Sequence, residues 1–176
     1  RAVDNAENIS ATLAAQFLYE ATPPDAEHAL KPDSWTNGTV KITVDAQDAF
    51  SGVRDITLPD GTVVTGDKAE FEVADNGTYD FSIRDNCGNI LAYPVEVRGI
   101  DLVKPQVVRI QTQRTWDATT NWAKITATDD ASGIVAIGWA SSEDGAITWQ
   151  DADSTATFTY RDNGGYYAFA KDAAGN

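Results

Sequence analysis

The chain has 176 residues, with 27 acidic against 13 basic side chains, a formal net charge of −14, one Cys, one His and no Met. A pI near 4.2 without a basic run makes nucleic acid and anionic lipid poor partners. No apolar stretch approaches the roughly 18 residues of a spanning helix, and a single Cys excludes an internal disulfide framework. A sequence opening without Met suggests an excised fragment, with any targeting signal lying outside it.

Taken in chain order, Ile9, Ala11, Leu13, Ala15, Phe17 and Tyr19 alternate as a strand should. Ile9, Leu13 and Phe17 also fall at helical spacing in an Ala-rich stretch, so strand and helix both stay open there. His28 follows in Pro- and Asp-containing sequence read as a connection between modules. Val40, Ile42, Val44 and Ala46 then alternate with Lys41, Thr43 and Asp45, predicting a strand with one wet face. Asp48-x-x-Ser51-Gly52 ends it with turn-forming side chains and a residue tolerant of positive φ. Ile56-Thr57-Leu58 predicts the next strand, and Pro59-Asp60-Gly61 a turn into Val63 and Val64. Asp75-Asn76-Gly77-Thr78-Tyr79 predicts a turn entering another strand, followed by a turn at Asp85-Asn-Cys-Gly-Asn89 and a strand burying Leu91, Tyr93, Val95 and Val97. Those four have the opposite parity to the residues 9–19 pattern.

Much of this recurs, and internal repetition governs the whole reading. At a displacement of 81 positions, the distance from Trp35 to Trp116, Asp48…Ser51-Gly52-Val53 meets Asp129…Ser132-Gly133-Ile134. Asp4…Asn8-Ile9 likewise meets Asp85…Asn89-Ile90, and Glu20 meets Asp101. Beyond Gly61 the displacement becomes 87, so that Asp75-Asn76-Gly77-Thr-Tyr79 meets Asp162-Asn163-Gly164-Gly-Tyr166 and Asp85…Asn89 meets Asp172…Asn176. The inserted residues read as a longer hairpin around Ser142-Glu143-Asp144-Gly145. The predicted organisation is a tail of one repeat over 1–24, a complete repeat over 25–105, and a repeat over 106–176 without its last strand. Each complete unit carries about seven short strands, the pattern of an all-β sandwich.

The segments around Asp75, Gly77 and Tyr79, and around Asp162, Gly164 and Tyr166, resemble the tyrosine corner of immunoglobulin-type sandwiches. Phe81 and Ala168 stand where antibody domains place a Cys, so packing alone must join the sheets. Trp-Thr-Asn before Val-x-Ile-x-Val, Asp-x-x-Ser-Gly-Val, Asp-Asn-Gly-Thr-Tyr, Asp-x-x-Gly-Asn and Ile-Asp-x-x-x-Pro together resemble bacterial Ig-like tandem repeats of secreted and wall-attached proteins. The resemblance implies tandem immunoglobulin-like sandwiches without a disulfide, an extracellular location, and a spacer or adhesive stalk. It implies no ligand. The other function consistent with the sequence is an accessory glycan- or protein-binding module of a large extracellular enzyme.

In that topology the turns at Asp48 and Asp85 lie at one end of the sandwich, where the preceding module enters. Glu20, Asp48, Asp85 and Asn89 then converge at one junction, and Asp101, Asp129, Asp172 and Asn176 at the next. Calcium takes six to eight hard oxygen ligands, so these residues could hold an ion that stiffens the array. Turn capping by the same side chains is the competing explanation. Trp122, Tyr167 and Phe169, predicted to point outward, and Trp149, in the inserted hairpin, are candidates for stacking on sugars; packing against a neighbouring module competes.

Catalysis is not expected. One His supplies neither a Ser–His–Asp set nor a histidine metal cluster, and no phosphate-cradling Gly loop occurs. Cys87 takes a small-residue position held elsewhere by Ala6 and Ala173, and Lys41 and Lys124 face solvent. A repeat without its last strand exposes an edge. Residues 9–19 of another copy could fill it, giving head-to-tail exchange alongside contacts with neighbouring repeats.

Overall fold

The computed structural model describes residues 2–11, 14, 18–113 and 121–176. Thirteen strands and no helix occur among the described residues, and every pairing between strands is antiparallel. Seven make a first sandwich: β1 (Asp25–Lys31), β2 (Val40–Gln47), β3 (Val53–Thr57), β4 (Val63–Thr65), β5 (Lys68–Val73), β6 (Gly77–Asp85) and β7 (Ile90–Val97). Its sheets run β1-β2-β5 and β4-β3-β6-β7. Six make a second: β8 (Gln106–Thr112), β9 (Asn121–Thr128), β10 (Ile134–Ala140), β11 (Thr148–Asp151), β12 (Thr155–Tyr160) and β13 (Tyr167–Asp172). Its sheets run β12-β9-β8 and β11-β10-β13, which is the first order with no counterpart of β7 among the described residues.

The period-two pattern decides which side chains meet between the sheets. Val40, Ile42 and Val44 from one sheet face Ile56, Phe81, Ile83, Val95 and Val97 from the other, all essentially inaccessible. Phe71 and Phe81 pack edge-on at 6.3 Å. The second core is smaller: Ala123, Ile125 and Ala127 oppose Ile134 and Ile137, with Trp139 stacked on Phe158 at 4.7 Å. The tyrosines anchor the strand entries, Tyr79 donating to the Asp75 carbonyl at 2.7 Å and Tyr166 to that of Asp162 at 3.3 Å.

Two readings need correction. His28 lies inside β1, paired with Val44 of β2 and bonded through Nδ1 to the Tyr93 hydroxyl at 2.9 Å, not in a connection. Only Ala26 and Leu30 of β1 pack against the core, so its sequence carries little alternation. In residues 9–19, Ile9 makes an isolated antiparallel bridge with Val3, and the other described residues belong to neither strand nor helix. Residues 12, 13 and 15–17, with Leu13, Ala15 and Phe17 of the proposed strand, lie outside the described residues, as does Trp116. Asp4 through Asn8 nevertheless fold as Asp85 through Asn89 do: the Asn8 backbone and side-chain nitrogens both donate to the Asp4 carboxylate, at 3.0 and 2.9 Å.

Where β7 covers the first core, the second is open. Ile110, Ala123, Ile125, Phe158, Tyr166 and Ala168 line a groove of about 150 Å³, and Ile110 is half exposed.

Candidate functional site

The turn after β2 is organised by one carboxylate oxygen. Asp48 Oδ1 accepts from the N–H groups of Phe50, Ser51 and Gly52, at 3.2, 2.8 and 2.7 Å. Gly52 sits at φ 77° and its counterpart Gly133 at 79°, a conformation that side chains rarely adopt, so Gly is required to close the turn. Asp129 repeats the device with Ala131 and Gly133 at 3.2 and 2.7 Å. Turn capping is therefore real, and it occupies one oxygen of each carboxylate.

The strand-end carboxylates are held differently. Asp85 accepts from the Asn89 backbone and side-chain nitrogens at 2.8 and 2.7 Å, one bond to each oxygen. Asp172 accepts from Asn176 in the same way, both at 2.8 Å. Asn89 and Asn176 thus orient the carboxylates through their amide nitrogens, and Asn176 also donates to the Asp101 carbonyl at 2.9 Å. Asp85 and Asp172 are buried, at 0% and 1% exposure.

The third member comes from the segment entering each sandwich. Asp101, 3% exposed, accepts from Ser132 N–H at 3.0 Å and from Val103 N–H at 3.0 Å. Glu20 Oε2 accepts from Ser51 N–H at 3.1 Å, the equivalent bond, whereas its Oε1 is buried with no partner. Glu20, Asp48 and Asp85 each bring a carboxylate oxygen within 4.8 Å of the other two, and Asp101, Asp129 and Asp172 do the same. Among the described residues no Lys, Arg or His forms an ion pair with any of the six.

Hydrogen bonding favours the charged form of Asp48, Asp85 and Asp101. Burial pushes the Asp85 carboxyl up, but the bonds from Asn89, Gly88 and Cys87 outweigh it and hold it below the usual carboxylate value. Burial opposes the turn N–H groups at Asp48 with the same net outcome. The Ser132 side chain and the Val103 N–H lower Asp101. Each junction gathers three carboxylates, two of them buried at the second junction, with no group of opposite sign paired to them among the described residues.

Backbone contacts lock the second junction. Thr36 makes a parallel bridge with Ile100, and Asn37 N–H of the first sandwich donates to the Ala174 carbonyl of the second at 3.1 Å. Asn76 clasps the same linker, its side chain bonding Ile100 N–H at 2.9 Å and the Ile100 carbonyl at 2.6 Å. Sequence reasoning missed this clasp because its partners lie 24 residues apart with no local pattern.

The four aromatic candidates do not form one site. Trp122 lies in β9, in the sheet β12-β9-β8, while Trp149, Phe169 and Tyr167 lie in β11 and β13 of the opposite sheet. Trp149 and Phe169 flank Gly138 of β10, and Tyr167 is paired with Ala140.

No family model matches the chain, and no curated protein matches it. Among solved structures, a carbohydrate-binding module of the β-sandwich superfamily aligns over 88% of this chain and 98% of that one, at 13% identity and a TM-score of 0.38. At that level of similarity nothing about a ligand transfers from one chain to the other.

Proposed function

We propose that the chain is a segment of a tandem array of immunoglobulin-like modules that serves as a spacer or adhesive stalk on a secreted or wall-attached protein, stiffened by calcium at each junction. The sheet orders support the modular part: β1-β2-β5 against β4-β3-β6-β7 is compatible with an immunoglobulin-like Greek key whose fourth strand sits in the second sheet, and the second sandwich follows it strand for strand as far as β13. The observation that carries the calcium reading is the duplicated carboxylate tripod, one arm from the preceding segment and two from the following sandwich.

The donor set suits the ion. Calcium takes carboxylate oxygens at varied geometry and completes its shell with carbonyls and water. The buried, unpartnered Oε1 of Glu20 is a group whose desolvation is uncompensated within the protein. A divalent cation held by Glu20, Asp48 and Asp85, or by Asp101, Asp129 and Asp172, would offset three like charges and tie two modules together. Asn89 and Asn176 would orient the ligands from behind.

Small-angle scattering of the chain in calcium and in EDTA tests the spacer role. The expected result is a fixed, elongated profile in calcium and a broader distribution of intermodule distances in EDTA. Indistinguishable profiles would refute the stiffening.

A further inference from the structure

The outer face of sheet β11-β10-β13 differs in kind from the same face of the first sandwich. Ile137 and Trp139 of β10 point into the core, as do Ala168 and Ala170 of β13. Alternation therefore sends Ala136, Gly138 and Ala140 outward, together with Tyr167, Phe169 and Lys171. Pairing arranges them in rows: Asp151–Ala136–Lys171, then Trp149–Gly138–Phe169, then Ala140–Tyr167.

The first sandwich shows what the scaffold needs at these positions. Asp55 there pairs with Arg84 in the register in which Ala136 pairs with Lys171, and Thr57 pairs with Ser82 as Gly138 does with Phe169. That face carries no aromatic residue: Arg84 reaches Asp55 at 2.7 Å, and Val63, Ser82 and Ile90 are among the other residues of these rows. Holding the sheet together thus requires no aromatic residue on this side. The second sandwich puts three there, and removes a side chain beneath them.

Gly138 is what seats the platform. A Cβ at this position would lie 2.5 Å from Ile147 Cγ2 and 2.9 Å from Trp149 Cε3, closer than real Cβ contacts. Without it, the indole and Ile147 both settle over the backbone of the central strand. Trp149 still exposes 45% of its surface, and so does Tyr167. A seated ring with an open face loses little conformational freedom when something stacks on it.

We propose that this face binds a neutral polysaccharide, with sugar rings stacked on Trp149 and Tyr167. Three observations select that occupant. At 45% exposure, two rings of roughly 150–250 Å² each present about 200 Å² together, far below the ~800 Å² per partner of a stable protein interface. Asp151 and Lys171 border the platform in one row, a carboxylate acceptor and an ammonium donor suited to hydroxyl groups, with no net charge between them. The chain's charge of −14 disfavours acidic polymers.

The test is affinity electrophoresis in native gels containing hydroxyethylcellulose, xylan, galactomannan or laminarin, with polygalacturonate as an acidic polymer. Retardation by at least one neutral polymer is expected, in calcium and in EDTA alike, because the face is separate from the junctions. Trp149→Ala and Tyr167→Ala should each weaken it by about tenfold, a loss typical of removing one stacking ring. Trp122→Ala, which removes a comparably exposed indole from the opposite sheet, should leave it unchanged. Migration unaffected by all four neutral polymers, binding to polygalacturonate alone, or binding that survives Trp149→Ala would each overturn the proposal. Should Trp149→Ala not fold, Tyr167→Ala decides by itself.

Discussion

Replacing Asp129 by Asn separates the two roles of the junction carboxylates. Asp129 Oδ1 accepts the turn bonds from Ala131 and Gly133, and an Asn side-chain oxygen can keep both. The change then falls on the charge. In the wild type a carboxylate oxygen of Asp129 lies within 4.8 Å of its neighbours on Asp101 and Asp172. At an effective dielectric constant near 20, each such contact between ionised groups opposes folding by about 3.5 kcal/mol or more before solvent and salt screening. Asp129 is half-buried, so a net gain on the order of 1 kcal/mol is the realistic outcome. For a sandwich of this size that corresponds to roughly 4–8 °C in melting temperature. The variant should therefore melt higher than the wild type in EDTA. In calcium the order should reverse, because a site with a ligand at a hundred times its Kd contributes about 2.7 kcal/mol, and the variant forfeits one such site. Calorimetric melting of both proteins in both buffers reads the crossover. A variant that melts lower in EDTA, or keeps the full wild-type response to calcium, would refute the reasoning.

Other outcomes follow from the same geometry. Tyr79→Phe should cost about 1 kcal/mol and Tyr166→Phe less, because the first bond is 2.7 Å and the second 3.3 Å; equal losses in urea unfolding would contradict this. Phe81→Ala, at a 1% exposed position between the sheets, should cost about 3–5 kcal/mol by the same assay. Asp48, Asp85 and Asp101 have folded-state values below the ordinary one. The unfolded chain thus binds more protons in acid, and the stability they contribute is complete above the ordinary carboxylate value and lost as pH falls through it and below. Melting temperature in EDTA should accordingly drop between about pH 5 and pH 3; a rise over that interval would show that relief of repulsion dominates instead. The groove beside β13 is lined by Ile110, Phe158, Tyr166 and Ala168, an apolar surface that residues 9–19 of another copy would cover if the two exchange strands. Light scattering should then show concentration-dependent association that deletion of residues 9–19 abolishes; a monomer at all concentrations would exclude the exchange.

The sequence made the architecture legible wherever one residue's neighbours two positions away decided its fate. Val40 to Ala46 and Ala123 to Ala127 alternate cleanly because one face packs and the other meets water, and both are the central strands of their sheets. Strand β1 escaped because an edge strand with two core contacts needs no such pattern. The carboxylates drew attention through repetition: a turn residue is unremarkable once, but Asp48 and Asp129 recur in register with Glu20 and Asp101. Repetition already sets Tyr167 and Phe169 where the first sandwich has Asp80 and Ser82; what it could not show is which strands place their residues beside them. Gly138 replaces Thr57, and Phe169 replaces Ser82, and only the pairing registers reveal that these positions share a row. The opposite parity of residues 9–19 and 91–97 is also physical: Leu91, Tyr93, Val95 and Val97 do face the core of the first sandwich, and a strand fixed by the Asp4–Asn8 turn in the same register would present Ser10, Thr12, Ala14 and Gln16. In a strand arriving from another molecule that turn is not joined to β13 of the acceptor, and the register is free to place the apolar set inward.

Calcium titration of the metal-free chain by isothermal calorimetry addresses the junctions most directly. Two carboxylate tripods predict two ions bound per chain, falling to one in Asp129→Asn. Absence of binding heat at millimolar calcium, together with an unchanged melting temperature, would contradict the account and leave the six carboxylates as turn caps alone.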